Sequence, residues 1–126
     1  EVDDNNNSVV LRVIDGDVRI LLTGDIEKEA EEELLALDPS ALRADLLQVA
    51  HHGSRSSSTT PFLDAVGARD AVISVGADNS YGHPHRETMQ RLREAGITVY
   101  RTDIDGTVVF VSDGTQIQPE RQEGTP

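Results

Sequence analysis

The sequence predicts an α/β fold, helices layered on a mixed sheet, on three observations. Asp15-Gly16 stands between two β-branched apolar runs, the signal of a tight hairpin. Beyond the hairpin, helix-forming and strand-forming segments alternate, an order that suits helix on sheet rather than a bundle. The 126 residues, 37% of them hydrophobic, suffice for one core but not for two independent ones.

Taken in order, the polar start EVDDNNN leads into antiparallel strands expected over 8–14 and 18–23. IEKEAEEELLALD, acidic in its first turn and followed by Pro39, predicts a helix over 26–37. ADLLQVA reads as the next strand and TPFLDAVGA as a short helix, with Pro61 in its first turn and Gly67 near its end. DAVISVG is again a strand, and HPHRETMQRLREAG a third helix, begun by Pro84 and stopped by Gly96. ITVYRT and GTVVFVS complete the strands. Residues 1–113 thus form the folded portion, and 114–126 are expected to be a disordered tail. A first strand with no cap, turn or helix ahead of it suggests a piece cut from a longer chain.

Composition narrows the chemistry. The formal charge of -12, from 23 acidic against 11 basic residues, repels phosphate and leaves no general basic footprint for nucleic acid. Contact with DNA would then need local arginines or metal ions. The absence of cysteine excludes disulfides, thiolate zinc sites and cysteine nucleophiles. No apolar run approaches the roughly 18 to 20 residues of a membrane span, so the piece is expected to be soluble.

The polar residues that carry chemistry collect where strands end. Asp25 follows LLTG, His51 and His52 follow LLQVA, and His83 and His85 lie in NSYGHPH after AVISVG. Histidine and aspartate without cysteine is the donor chemistry of a hydrolytic zinc or manganese site. Each residue has a plainer role as well. Asp25 suits the N-cap of a helix beginning at Ile26. If the strand continues through them, His51 and His52 face opposite ways, so that at most one serves a given ion. His83 suits a helix cap and His85 a solvated first turn. In SRSSSTTP, the hydroxyls of Ser54 and Ser56, the backbone amides and Arg55 suit a phosphate oxygen, or simply a loop whose Thr59 or Thr60 caps the next helix. Asn79, Ser80 and Tyr81 lie where a substrate would pass.

LLTGD, HHGS and YGHPH, in this order and spacing, resemble the closing part of the metallo-β-lactamase-like domain of the ComEC family, bacterial competence proteins that form the DNA uptake channel. The resemblance covers about residues 5–111. It implies an αββα sandwich of which this chain is the C-terminal half-domain. Asp25 resembles the metal-bridging aspartate, and the paired histidines resemble later active-site residues. The implied metal set is Asp25, His51, His52, His83 and His85, with Asp25, His52 and His85 as catalytic candidates and zinc or manganese as cofactor. Beside them, the residues themselves offer Ser54, Arg55, Ser56, Asn79 and Tyr81 as candidate substrate contacts. The superfamily's HxHxDH cluster would stand upstream. Where a third-histidine motif is expected, before the first strand, this sequence has Asn5, Asn6 and Asn7.

By resemblance, the intact domain is a metal-dependent nuclease that degrades the DNA strand not taken up, a metal-bound hydroxide attacking the phosphodiester. It would be a soluble domain of a bacterial cell-membrane protein, on the extracellular or periplasmic side. The implied partners are single- or double-stranded DNA, the membrane channel of the same polypeptide, the upstream half-domain and a second copy of the fragment, which alone is expected to be inactive. Two other readings are a non-catalytic module that binds or guides DNA and a small-substrate hydrolase of the same superfamily.

Overall fold

The computed structural model describes residues 4–120. Five strands form one sheet in the order β1-β2-β3-β4-β5: β1 Leu11–Asp15, β2 Val18–Leu22, β3 Leu46–Gln48, β4 Asp70–Ile73 and β5 Thr98–Arg101. β1 and β2 are antiparallel, joined by the expected tight turn, and the remaining pairs are parallel. The crossovers carry α1 Lys28–Leu37, α2 Thr60–Val66 and α3 Arg86–Glu94.

Strand order and chain order coincide, so right-handed crossovers put all three helices on one face of the sheet. The packing agrees. Leu21, Leu47, Ala71 and Ile73 of the strands share a core with Phe62, Leu63 and Val66 of α2 and Leu92 of α3, while Leu34 and Leu35 of α1 pack against it. Full burial of a side chain such as Phe62 or Leu47 contributes about 1.5–3 kcal/mol. Alternate strand residues face the other side, where Val18, Leu46 and Ile117 form a smaller core with Ile20, Val72 and Phe110 packed on it.

That second face is partly covered by a hairpin that the sequence did not indicate. Of the segment GTVVFVS, only β6 Phe110–Ser112 is a strand, and it pairs with β7 Ile117–Pro119 in a separate two-stranded sheet. Residues 114–120 are therefore not a loose tail. Ile117 is buried, and its carbonyl accepts from Arg69 Nη2 at 2.7 Å. Residues 121–126 of the expected tail lie outside the described residues. The hairpin turn is tied to the first one, since Asp17 N–H donates to Gly114 O at 2.7 Å and Ser112 Oγ donates to Asp15 Oδ2 at 2.7 Å. Gly16, at φ +61°, is packed so closely on the Gly114 carbonyl that a Cβ there would collide with it.

Helix starts also shift. α1 begins at Lys28 and not at Ile26, because Asn6, from a 3-10 turn over Asp4–Asn7, reaches across and takes its first amides: Asn6 Oδ1 accepts from Glu27 N at 2.8 Å and Ala30 N at 3.3 Å. α3 begins at Arg86, with His85 as its extended N-cap residue. A short α4, Thr102–Asp105, follows β5 without a break.

Candidate functional site

The parallel strands β2, β3 and β4 all deliver their C-terminal ends to the same edge of the sheet, where open α/β sheets build their sites. Each exit is pinned. Gln48, the last residue of β3, accepts from Thr23 N and Gly24 N through Oε1 at 2.8 and 2.9 Å, and its carbonyl accepts from Thr23 Oγ1 at 2.6 Å. Gly24 O in turn accepts from His51 N at 2.9 Å. Asp25 is thereby brought beside the HHGS turn, its own amide donating to Ser8 Oγ at 3.2 Å. Its carboxylate forms no hydrogen bond or ion pair among the described residues, so it does not cap α1.

His51 and His52 do not continue a strand. β3 ends at Gln48, and both residues lie in a 3-10 turn, Ala50–Gly53, with left-handed backbone at φ 54°. Two successive non-glycine residues in that region are sterically costly, and such strain is tolerated where the surroundings over-determine it. The strand alternation that would aim the two rings oppositely does not apply, and their centroids are 6.4 Å apart.

The third exit brings the remaining histidines. Asn79 locks the loop: Oδ1 accepts from Tyr81 N at 3.2 Å and His83 N at 2.9 Å, while Nδ2 donates to Gly76 O at 2.9 Å and His83 O at 2.8 Å. His85 N donates to Gly53 O at 3.0 Å, joining this loop to the HHGS turn. His83 lies among the other three histidines, its centroid 5.7 Å from His51, 6.1 Å from His52 and 4.7 Å from His85.

Hydrogen bonds set the tautomers. His52 Nδ1 is 2.7 Å from Ser74 O, a pure acceptor, so Nδ1 carries the proton and Nε2 is left with its lone pair. His85 Nδ1 accepts from Arg55 N at 2.9 Å, which places the proton on Nε2, 3.3 Å from Tyr81 O. Both nitrogens of His85 are thus engaged. His51 Nδ1 is buried without a hydrogen bond, the Glu27 carboxylate standing 3.8 Å away. Burial, then the neighbouring charges of His85, His51 and His52, hold His83 below the ordinary imidazole pKa, which favours its neutral form.

The hydroxyl tract is mostly structural in its contacts. Ser54 Oγ and Ser56 Oγ bond each other at 2.8 Å, and Ser57 Oγ donates to Ile26 O. Arg55 is exposed, its guanidinium 3.5 Å from the Glu87 carboxylate. Two side chains unremarked in the sequence, the buried Glu31 and the half-buried Arg91, hold this loop. Glu31 accepts from Ser58 N at 2.6 Å and Thr59 N at 2.9 Å, and Arg91 Nη2 donates to the carbonyls of Arg55 and Ser57, both at 3.0 Å. Burial raises the Glu31 pKa against the pull of those amides and Arg91. A signal was present: Glu31 is a carboxylate on the stripe shared by Leu34 and Leu35, where an apolar residue is expected.

The donor types suit a divalent metal, with an unpaired carboxylate at Asp25, a free lone pair on His52 and an orphaned buried nitrogen on His51. Their placement does not complete such a site. Among the described residues, no group of three or more histidine, aspartate or glutamate side chains could hold an ion, and about three protein ligands are needed for a catalytic one. Nor is any described helix long and apolar enough to cross a membrane.

Comparison with known proteins agrees with this architecture. The signature of the metallo-beta-lactamase superfamily matches residues 1–77. ComE operon protein 3 of Bacillus subtilis is 42% identical over 106 residues, covering 84% of this chain and 14% of that protein. Competence protein ComA of Neisseria gonorrhoeae is 41% identical over 109 residues, covering 86% and 16%. Recombination protein 2 of Haemophilus influenzae is 37% identical over 125 residues, covering 98% and 16%. The chain thus spans about a sixth of these relatives' length or less. With its α/β layers and its strand-end cluster of histidines, the chain belongs to the metallo-β-lactamase superfamily and, within it, to the ComEC family of competence proteins.

Proposed function

We propose that this chain is the closing half of a nuclease domain that cuts a DNA strand handled during competence. It contributes Asp25, His51, His52 and His83 to a divalent-metal centre completed by an upstream HxHxDH half, while His85, with both nitrogens engaged, braces the cluster and is not the metal donor that the sequence reading expects. The domain belongs to a membrane-channel protein and lies outside the cytoplasm. The observation that carries this reading is the meeting of three separate strand exits: Asp25 beside His51 through the Gly24–His51 bond, and His83 within ring contact of the other three histidines.

The residues present supply orientation and neutral imidazole. Ser74 O fixes the His52 tautomer, the Asn79 lock fixes the His83 backbone, and the low pKa of His83 keeps a lone pair available near neutrality. The test is incubation of single-stranded DNA with Mn²⁺ or Zn²⁺ and either this chain or the chain joined to its upstream half. The joined protein is expected to cut, and Asp25→Ala to abolish cutting, while the chain alone leaves DNA intact. Failure of the joined protein to cut with either ion overturns the reading. Asp25-dependent cleavage by the chain alone shows that the site is complete here.

One observation favours a second reading, a module that guides DNA without cutting it. Asn6 stands before the first strand, where a histidine motif is expected, and its side chain is committed to the first turn of α1. Metal-independent DNA binding by an inactive joined protein selects that reading.

A further inference from the structure

The chain has four aromatic residues of the Phe, Tyr and Trp type, two phenylalanines and two tyrosines. Three are packed. Phe62 is buried in the main core, and Tyr100 and Phe110 meet edge to face at 5.2 Å and 89°. The fourth, Tyr81, is 75% exposed, and it stands on the loop that carries the site histidines.

This exposure is not that of a loose loop. Tyr81 N donates to Asn79 Oδ1, and its carbonyl faces the protonated Nε2 of His85 at 3.3 Å. Its ring stacks on His83, with centroids 5.7 Å apart and planes 23° from parallel. One face of the phenol is therefore backed by the histidine cluster and the other is turned away from that support. A planar ring held in place loses little freedom when a second planar group covers it.

We infer that Tyr81 is a stacking platform for an unpaired nucleobase, which makes the site select single-stranded over duplex DNA. The inference rests on the proposed nuclease function and goes beyond it in naming the strandedness of the substrate and the side chain that reads it. Charge supports the assignment. A chain at -12 offers no general basic surface for a polyanion, so contacts that do not depend on net charge add to whatever local arginines or metal ions supply. Stacking on an aromatic ring is such a contact, and it tolerates any sequence because every base has a π-face. Bases within a duplex already cover both faces on each other and cannot reach the ring without unstacking. The phenol hydroxyl forms no hydrogen bond among the described residues, so the ring and not the hydroxyl is the working part.

The test uses the joined domain with metal withheld, so that binding is read without cleavage. Anisotropy titrations compare a fluorescent single strand, the same sequence as a blunt duplex, and a single strand with abasic sites in place of its bases. Tyr81→Ala is expected to lose roughly tenfold in affinity for the base-bearing single strand, Tyr81→Phe to keep it, and the abasic strand to bind both variants and the parent alike. Equal binding by Tyr81→Ala and the parent, or an equal loss on the abasic strand, overturns the inference. So does a lower melting temperature of Tyr81→Ala without DNA, which shows the ring to be packed by the rest of the domain. If the parent cuts DNA once metal is supplied but Tyr81→Ala has no base-dependent effect on binding, only this inference fails. If the parent neither binds nor cuts DNA, the nuclease reading fails and this inference with it.

Discussion

A methyl group at position 53 has nowhere to go. Gly53 sits at φ +84°, and a Cβ there would lie 2.5 Å from Pro84 Cβ, between the HHGS turn and the YGHPH loop. Gly53→Ala is expected to push these loops apart and to destabilise the chain by about 1–3 kcal/mol, read as a fall in the denaturation midpoint. A second single-residue effect concerns pH. Arg101 holds Asp103 through paired hydrogen bonds at 3.0 and 2.7 Å, and these lower the Asp103 pKa below the usual carboxylate value. Because the folded pKa is the depressed one, the contribution is present above the unfolded carboxyl's value, about 4, and is lost as pH falls through the folded value. The melting-temperature advantage over Asp103→Asn should therefore be full at neutrality and shrink below about pH 4. A constant difference down to strong acid would contradict it. At this scale the sequence was least legible. The His51 and His52 directions follow from left-handed backbone at two non-glycine positions, which no local pattern announces.

Between elements, the organising contact is the pair Glu31 and Arg91. They reach from α1 and α3 to the same loop, and together they fix the segment that leads from the histidine turn into α2. Glu31→Gln turns an amide donor toward two backbone donors, leaving at least one unpaired, at a cost of about 1–3 kcal/mol. Loosening of the loop should also release the Arg55 amide from His85, so that nitrogen NMR of the His85 ring, a single Nε2–H tautomer in the parent, shows a mixture. Ile117→Ala, in the separate hairpin core, is the control: a comparable loss of stability with the His85 signal unmoved. An unchanged tautomer in Glu31→Gln would refute the coupling. The elements themselves were largely legible, because strand alternation, acidic helix starts and Pro and Gly punctuation are local signals. Their boundaries were less so. Asn6 takes amides of α1 from more than twenty positions away, and β7 exists because a single apolar residue, Ile117, finds Val18 and Leu46.

For the whole molecule, the second face of the sheet matters most. The register sets Leu11 opposite Leu22 and Val13 opposite Ile20, on the face of the hairpin core, and Leu11 and Val13 remain 53% and 43% exposed. Among the described residues β1 is also the edge strand, with only β2 bonded to it. The isolated chain is expected to associate through this face, sedimenting heavier than a monomer at high concentration, and Leu11→Lys with Val13→Lys to restore the monomer. A monomeric parent at all concentrations would refute this. The resemblance carried the αββα architecture and the location of the histidines into view, but it could not supply how the face is covered, since covering is a property of three dimensions.

The bond between Ser112 and Asp15 joins residues 97 positions apart. During synthesis the β1–β2 hairpin is made long before the β6–β7 hairpin, and the loop that their contact closes is among the longest within the described residues. The β1–β2 hairpin therefore gains this contact only after the three crossover units that follow β2 have been made. The last hairpin then acts as a clasp, and a chain that ends before Ser112 folds with its leading edge unfastened.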